Sequence, residues 1–238
     1  MKYVISALFL AASALWSSQT LAESTKPAVV LELFTSQGCY SCPPADKLLG
    51  AMAKEDGIVA LGYHVTYWDR LGWPDPFGTH WGTERQYDYG LKGGTSRVYT
   101  PQIIVDGLQD EVGSRERSVR RLVAEARDIP KPASPDLSWR DGALRIDMPD
   151  APDAAGAEIW LIRFDEQRQT DILRGENGGK RLVYHNIVRK RYSLGRFDGR
   201  AQLMEASVPP GDTDWGVAVL VQDDGPGRIW GAASLAAE

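Results

Sequence analysis

Two cysteines, Cys39 and Cys42, stand between an apolar run and a helical pattern, and the chain contains no others. Residues 28–34 are apolar with one exception, which is typical of a buried strand in a parallel or mixed sheet. After the pair, residues 46–54 place apolar side chains at helical spacing, and residues 58–65 are again mostly apolar. Strand, helix and strand within about 35 residues predict a βαβ unit with the cysteines at the start of its helix.

A cysteine pair in this position favours thiol–disulfide exchange. The first turn of a helix has unpaired backbone N–H groups and a partial positive charge, which stabilise a nearby thiolate. We assign Cys39, at the mouth of the turn, as the nucleophile, and Cys42 as the thiol that resolves a mixed disulfide on Cys39. This role requires a Cys39 sulfur that solvent can reach and that ionises more readily than a free thiol. No cofactor is needed, because the redox-active disulfide itself carries two electrons.

Other roles for the pair are weaker. A structural staple gains only about 2 kcal/mol from closing so short a loop. Structural zinc needs four ligands, and only three histidines and scattered carboxylates are available to join the two thiols. A copper(I) site formed by Cys39, Cys42 and His64 is the alternative that stays open, because soft thiolates select that ion and His64 ends the second predicted strand.

The N-terminal segment predicts export. Lys2 is followed by an apolar stretch over residues 3–16 and by Thr20-Leu21-Ala22, which has small residues where a signal peptidase cuts. We therefore expect a signal peptide over residues 1–22 and a periplasmic or secreted protein. A net charge of −5, without a run of Lys and Arg, argues against nucleic-acid partners. The expected partners are an exported protein, a small-molecule thiol or a membrane-bound redox protein.

The remainder of the first half predicts an insertion, a hairpin and a helix. Residues 66–97, which are rich in Trp, Gly and Pro, are interpreted as an insertion that caps the sheet and contains a helix near residues 79–89. The strand candidate at 98–105 is followed by Asp106-Gly107, a preferred tight turn between antiparallel strands. Ser114 is the candidate cap of the next helix.

A different pattern begins after residue 129. Three prolines between residues 130 and 135 break helices and predict a domain boundary. Short apolar runs separated by Gly, Pro, Asp and Asn then predict an antiparallel β-sandwich. These runs cover residues 144–148, 157–164, 169–173, 181–189, 201–208, 215–222 and 229–234. We therefore expect an α/β domain over residues 27–130, followed by a β-sandwich domain over residues 136–238.

The order of elements over residues 27–129 resembles the thioredoxin-like superfamily. In that superfamily a cis-proline lies against the C-x-x-C pair, and the backbone before it binds an incoming peptide, which implies these roles for Pro101 and Thr100. The resemblance also implies that Glu32, on the first strand, is a buried acid with a raised pKa that relays the proton of Cys42. The alternative for Glu32 is exposure to solvent or pairing with an arginine.

The mature chain also resembles a narrower group of secreted bacterial proteins that are known only as a domain of unknown function with a thioredoxin-like fold. The segments that carry this likeness are residues 32–46, 63–69, 98–102, 174–177 and 184–186. Because parallel strands end at the same edge of a sheet, His64, at the end of the second predicted strand, is expected close to the cysteines. The expected substrate-binding residues are Tyr40, Ser41, Thr100 and His64.

Two prolines distinguish the chain from ordinary thioredoxins. They predict that the helix starts at Pro43 or Pro44 and that Cys42 caps it. Cys39 is then farther from the helix dipole, which favours reductase or isomerase behaviour over strong oxidase behaviour. The sequence thus predicts an exported thiol–disulfide oxidoreductase, and the residues assigned to its chemistry are Cys39, Cys42, Pro101 and Glu32.

Overall fold

A computed structural model describes residues 28–95, 97–211 and 214–237 of the chain. The predicted signal peptide, residues 1–22, lies outside the described residues. No helix in the described part of the chain is long and apolar enough to cross a membrane.

The first strand, helix and strand form the predicted βαβ unit. β1 (Val29–Thr35) and β2 (Ile58–His64) are parallel neighbours, and α1 (Pro43–Met52) connects them. Both strands are buried along their whole length, as their sequence predicts. Because side chains alternate along a strand, Leu31 and Leu33 pack with α1, whereas Val30 and Phe34 face the other side of the sheet.

The predicted hairpin forms one edge of the sheet. β3 (Gln102–Val105) and β4 (Gln109–Val112) are antiparallel, and Asp106-Gly107 lies in the turn between them. Asp106 and Gly107 have φ values of 49° and 72°, the left-handed conformation that this type of turn requires. β3 also pairs with β1, so the hairpin continues the sheet of the βαβ unit.

Two more helices belong to the first half. α2 (His80–Lys92) lies in the insertion, close to its predicted position. α3 (Glu116–Arg127) buries its apolar face on the same side of the sheet as α1. The prediction that Ser114 caps α3 is wrong, because Arg115 has the non-helical backbone at the helix start and no side chain caps it.

The described part of the second half contains seven strands. They are β5 (Asp136–Arg140), β6 (Ala143–Met148), β7 (Glu158–Asp171), β8 (Arg181–Arg196), β9 (Gln202–Ala206), β10 (Trp215–Gln222) and β11 (Ile229–Ala236). The runs 157–164 and 169–173, expected to be separate strands, belong to one long strand, β7, because the polar residues between them continue to pair with β8. β5 was not predicted.

Strands from both halves form one eight-stranded sheet, in the order β11-β10-β7-β8-β2-β1-β3-β4. β8 joins β2 as a parallel neighbour at one register position, where Gly62 lies opposite Ile187. A Cβ at Gly62 would come within 3.2 Å of the His185 carbonyl oxygen, so glycine permits this close approach. The second half therefore extends the sheet of the first, and the division into two domains stays a prediction.

A smaller antiparallel sheet, β5-β6-β9, packs against the part of the large sheet formed by β7, β10 and β11. Leu137 and Ile146 from the small sheet share a buried core with Ile159, Val217 and Val219 from the large one. The structure thus confirms a mixed α/β fold with a large sheet and a second, antiparallel sheet.

Candidate functional site

The two cysteines lie in residues 36–42, the redox loop, which connects β1 to α1. They form a disulfide with a Cα–Cα distance of 5.4 Å. Cys42 is the residue before the helix and Pro43 is its first position, as predicted. The amide of Ala45 donates to the Cys42 carbonyl at 2.9 Å and closes the first turn. The disulfide therefore lies at the positive end of α1.

Both cysteines are buried, with 0% of each residue exposed. The expectation that solvent reaches Cys39 at the mouth of the turn is therefore wrong for this disulfide-bonded structure. The residues between the cysteines, Tyr40 and Ser41, are exposed instead, and 66% of Tyr40 is accessible. Because a thiol must reach the sulfur that it attacks, exchange at Cys39 requires the groups that cover it to move.

The Thr100-Pro101 peptide bond lies beside the redox loop and is cis, as the resemblance implied. The Ser41 hydroxyl donates to the Thr100 carbonyl at 3.5 Å. The indole N–H of Trp68 donates to the Thr100 hydroxyl at 2.8 Å. The structure thus brings Thr100 and Ser41 together, with Pro101 buried and Trp68 along one side.

The turn between β7 and β8, residues 172–180, reaches the redox loop from the second half of the chain and is termed the hairpin tip. Asn177 is fully buried at this contact. Its side-chain amide donates to the carbonyls of Gln37 at 2.9 Å and Cys39 at 2.8 Å. Asn177 therefore holds the backbone both before and after the Cys39 Cα atom.

The hairpin tip also holds the N–H of the Cys39–Tyr40 peptide group. The carboxylate of Glu176 accepts a hydrogen bond from the Tyr40 amide at 3.0 Å. Lys180 donates to the Asn177 side-chain oxygen, and its ammonium lies 4.5 Å from the centre of the Tyr40 ring. Sequence reasoning assigned no role to these residues, and the signal that marked them was the family likeness at residues 174–177.

Gln37 anchors the redox loop from two further directions. Its amide N–H donates to Asp75 at 2.8 Å, which ties the loop to the insertion. Its side chain accepts a hydrogen bond from the Trp73 indole at 2.9 Å and donates to the Thr170 hydroxyl at 3.1 Å. The insertion and β7 thus hold the start of the redox loop in place.

Glu32 is a buried carboxylate with a full set of partners. Arg85 donates to its two oxygens at 2.7 and 3.0 Å, and the Tyr89 hydroxyl also donates to it. Burial alone would raise the pKa of Glu32, but the Arg85 guanidinium lowers this pKa below its ordinary value. Glu32 also shares the face of β1 that carries Val30 and Phe34, away from α1. The expected raised pKa and proton-relay role are therefore wrong, and pairing with an arginine is confirmed.

A second buried carboxyl, Asp46, lies in the first turn of α1, four residues after Cys42. Because the Cys42 backbone is itself helical, the two side chains are neighbours on the helix surface. The Thr35 hydroxyl lies beside this carboxyl, yet neither Asp46 Oδ2 nor Thr35 Oγ1 makes a hydrogen bond of ordinary geometry to the described residues. Burial raises the pKa of Asp46 to about 7. Sequence reasoning did not single out Asp46, since an acid in a first helical turn ordinarily just complements the dipole.

His64 is buried at the end of β2. Its Nδ1 lies 2.6 Å from an oxygen of Asp75, and its ring packs edge-on against Phe77 and Tyr184. Burial would raise the pKa of Asp75, but His64 and two backbone amides lower it below its ordinary value. The prediction that His64 lies at the rim and contacts substrate is therefore wrong, because Asp75 and two aromatic rings enclose it.

A groove of 490 Å³ runs between α1 and the start of β8, and Asp46 is among its lining residues. Lys47, Lys54 and His185 also line it. The His185 ring lies directly over Gly50, where a Cβ would come within 2.1 Å of a ring carbon. Burial and the nearby Lys54 lower the pKa of His185. The groove connects the neighbourhood of Asp46 to solvent.

The described residues contain no group of three or more His, Cys, Asp and Glu side chains arranged to hold a metal ion. The third ligand of the alternative copper(I) site, His64, is already bonded to Asp75. The copper(I) alternative stays a prediction.

Comparisons with known proteins agree with this arrangement. A family model described as "Protein of unknown function (DUF1223)" matches residues 30–222. A protein of Archaeoglobus fulgidus named "Probable Thioredoxin" is 29% identical over 94 residues, which are 40% of this chain and 89% of that protein.

Two solved structures share the fold. The crystal structure of an Agrobacterium tumefaciens protein has a TM-score of 0.76 and 31% identity, covering 88% of this chain and 94% of that one. HBP35 of Porphyromonas gingivalis has a TM-score of 0.59 and 15% identity, covering 88% of this chain and 75% of its own, and shows likeness of fold alone.

The match to a thioredoxin and the C-x-x-C disulfide together support a thiol–disulfide oxidoreductase-like role. The family match extends through both halves of the chain, including the hairpin tip that contacts the redox loop. The chain belongs to the DUF1223 family of thioredoxin-like proteins.

Proposed function

We propose that this protein exchanges thiols and disulfides with exported proteins or small thiols outside the cytoplasm, through Cys39 and Cys42. The observation that carries this proposal is the disulfide at the N-terminus of α1, with Thr100 bonded to the redox loop. The exposed Tyr40 and Ser41 and the neighbouring Thr100 are the residues placed to meet a substrate. Export rests on the signal peptide predicted over residues 1–22.

The proposed reaction is a pair of thiol–disulfide exchanges. In the reductive direction, the Cys39 thiolate attacks a substrate disulfide, forms a mixed disulfide and releases one substrate thiolate. The Cys42 thiolate then attacks the Cys39 sulfur, which releases the second substrate thiolate and forms the Cys39–Cys42 disulfide. Two electrons pass to the substrate, and an external dithiol that is itself oxidised to a disulfide regenerates the two thiols.

Asp46 is the carboxyl placed to accept the proton of Cys42 before the second exchange. It follows Cys42 by one helical turn, and it carries a buried oxygen without a hydrogen bond among the described residues. A pKa of about 7 suits a group that accepts and returns a proton near neutral pH. The groove between α1 and β8 supports exchange of this proton with solvent.

The start of α1 supports reductase or isomerase activity over strong oxidase activity. Cys39 lies three residues before the helix cap, Cys42, and the intervening residues Tyr40 and Ser41 carry no positive charge. Both features limit stabilisation of the Cys39 thiolate, and a strong oxidant depends on such stabilisation. We therefore favour reductase or isomerase activity.

The test traps the mixed disulfide. We expect the Cys42→Ser variant, expressed as the full chain in a bacterium that exports it, to accumulate covalent adducts that migrate slowly on non-reducing gels and disappear on reduction. A Cys39→Ser variant is the matched control and should form none of these adducts. Absence of adducts from an exported, folded Cys42→Ser variant would contradict the proposal.

A further inference from the structure

We infer that the hairpin tip is a cover that determines which thiols reach the Cys39–Cys42 disulfide, and that Asn177 is the positioning residue that holds this cover closed. The inference rests on the proposed function and concerns its selectivity. Both cysteines are buried in the disulfide form, so an attacking thiol finds neither sulfur accessible. Some part of the surroundings must move before exchange begins.

Two groups that flank the redox loop, Thr100-Pro101 and Trp68, are anchored next to the sheet and its buried core. Pro101 is buried immediately before β3, and Thr100 is bonded to Trp68. Trp68 packs against the large buried cluster between the sheet and α2. Moving either group would disturb the core, so neither is suited to open and close during a reaction cycle.

The hairpin tip is held much more lightly. It projects beyond the last paired residues of β7 and β8, and most of its residues are exposed, with 74% of Leu173 accessible. Asn177 is buried in its centre and contacts the redox loop directly. Segments with few buried contacts open at a low free-energy cost compared with global unfolding. The hairpin tip is therefore the part of the surroundings that moves.

The hydrogen bonds of the hairpin tip fall on both sides of the sulfur to be attacked. Asn177 holds the carbonyls of Gln37 and Cys39, while Glu176 holds the amide of Tyr40. These bonds hold the backbone of Cys39 in the conformation in which this residue is buried. Release of Asn177 frees this backbone, and a small displacement admits a compact thiol, whereas a protein thiol needs the whole tip to lift.

The probe reaction is reduction of the Cys39–Cys42 disulfide by two successive thiol–disulfide exchanges. A reductant thiolate attacks the Cys39 sulfur, the disulfide breaks, and Cys42 leaves as a thiolate. A second reductant thiol then attacks the mixed disulfide, which frees Cys39 and forms the reductant's disulfide. The rate of the first attack reports access to Cys39.

The experiment compares two reductants of different size, dithiothreitol and a reduced thioredoxin, on the wild-type protein and on Asn177→Ala. Loss of the two hydrogen bonds should raise the rate of reduction by the protein reductant about tenfold and by dithiothreitol about twofold. Lys180→Met keeps an unbranched side chain of similar length but removes the ammonium, and it should change the rates of reduction less, in the same direction. Asp171→Asn is the matched control, because it breaks an exposed ion pair with Arg181 at the base of the same hairpin and touches no part of the redox loop.

The outcomes distinguish failure of the inferred cover from failure of the proposed function. Rates that change equally for both reductants, or that do not change in Asn177→Ala and Lys180→Met, would overturn the cover, even if the protein still exchanges disulfides. Failure of both reductants to reduce any folded variant would overturn the proposed function together with the inference. If Asn177→Ala does not fold, the ratio of the two rates in Lys180→Met decides between these outcomes.

Discussion

Two of the buried carboxyls in the first half, Glu32 and Asp46, occupy opposite kinds of environment. Glu32 is bonded by Arg85 and Tyr89, and the same arginine donates to Gln222 of β10 at 2.8 Å. Asp46 has no cation bonded to it among the described residues, and one of its oxygens makes no hydrogen bond there. Burial is nearly complete for both side chains, so their partners account for the difference.

This difference separates a structural acid from a titratable one. The Arg85 guanidinium holds the pKa of Glu32 below its ordinary value, so Glu32 stays charged and links β1, α2 and β10. Burial without a bonded cation raises the pKa of Asp46 to about 7. The acid that lies one helical turn from a reactive cysteine is therefore the one that can gain and lose a proton near neutral pH.

The largest expected effect comes from breaking the Glu32 pair. Arg85→Met leaves a buried carboxylate without its cation, and we expect the free energy of unfolding at pH 7 to fall by about 3–5 kcal/mol. Urea unfolding of the two proteins measures this change. The double variant Glu32→Gln with Arg85→Met removes both charges and should recover most of the loss. A loss below about 1 kcal/mol in the single variant would show that the pair is not the buried link described here.

We expect Asp46→Asn to change the free energy of unfolding at pH 7 in the opposite direction from Arg85→Met. The folded pKa of about 7 lies above the ordinary value of 3.8, so the folded protein binds more protons than the unfolded chain between these limits. Stability therefore falls as pH rises from about 4 to about 7, by about 3–4 kcal/mol from this group. The variant should lose this decline, as measured by urea unfolding at several pH values.

Asp56→Asn is the control for this measurement, because Asp56 is exposed beyond the end of α1. Glu32 contributes the reverse dependence: its lowered pKa adds stability above the ordinary value of 4.5, and this stability is lost as pH falls through the folded pKa. An unchanged pH profile in Asp46→Asn would mean that Asp46 is charged at neutral pH like Glu32.

Sequence reasoning located the reactive segment but not its surroundings. The βαβ unit, the helix start at Pro43, the Asp106-Gly107 turn and the cis bond before Pro101 all follow from local patterns or from family likeness. The partner of Glu32 lies 53 residues away in the middle of α2, where nothing in the local pattern distinguishes Arg85 from a solvated arginine.

The contact with the second half was equally inaccessible to pattern reasoning. Asn177 meets Cys39 across 138 residues, in a turn whose composition indicates only a turn. The pairing of β8 with β2 rests on one register position, Gly62 opposite Ile187, which no hydrophobic periodicity reveals. Long-range pairing of this kind is a property of the folded chain, and a single sequence carries little signal for it.

The smallest expected effect is that of Asp46→Asn on the rate of the second exchange. If Asp46 accepts the Cys42 proton, Asp46→Asn should slow release of substrate from the Cys39 mixed disulfide about tenfold at pH 7 and much less at pH 9, where Cys42 ionises without help. Stopped-flow measurement of thiol release gives this rate. Asp56→Asn should match the wild-type protein at both pH values. An equal slowing at the two pH values would indicate a change in packing and would contradict proton transfer.

The most direct test of the account is reduction of the folded protein. Dithiothreitol should convert the Cys39–Cys42 disulfide into two free thiols, counted by alkylation and mass spectrometry, while circular dichroism and tryptophan fluorescence remain those of the native state. This result would show that the buried disulfide opens to thiols within the intact fold. Thiols that appear only under conditions where the protein unfolds would identify the disulfide as structural. This result would contradict thiol–disulfide exchange through Cys39 and Cys42.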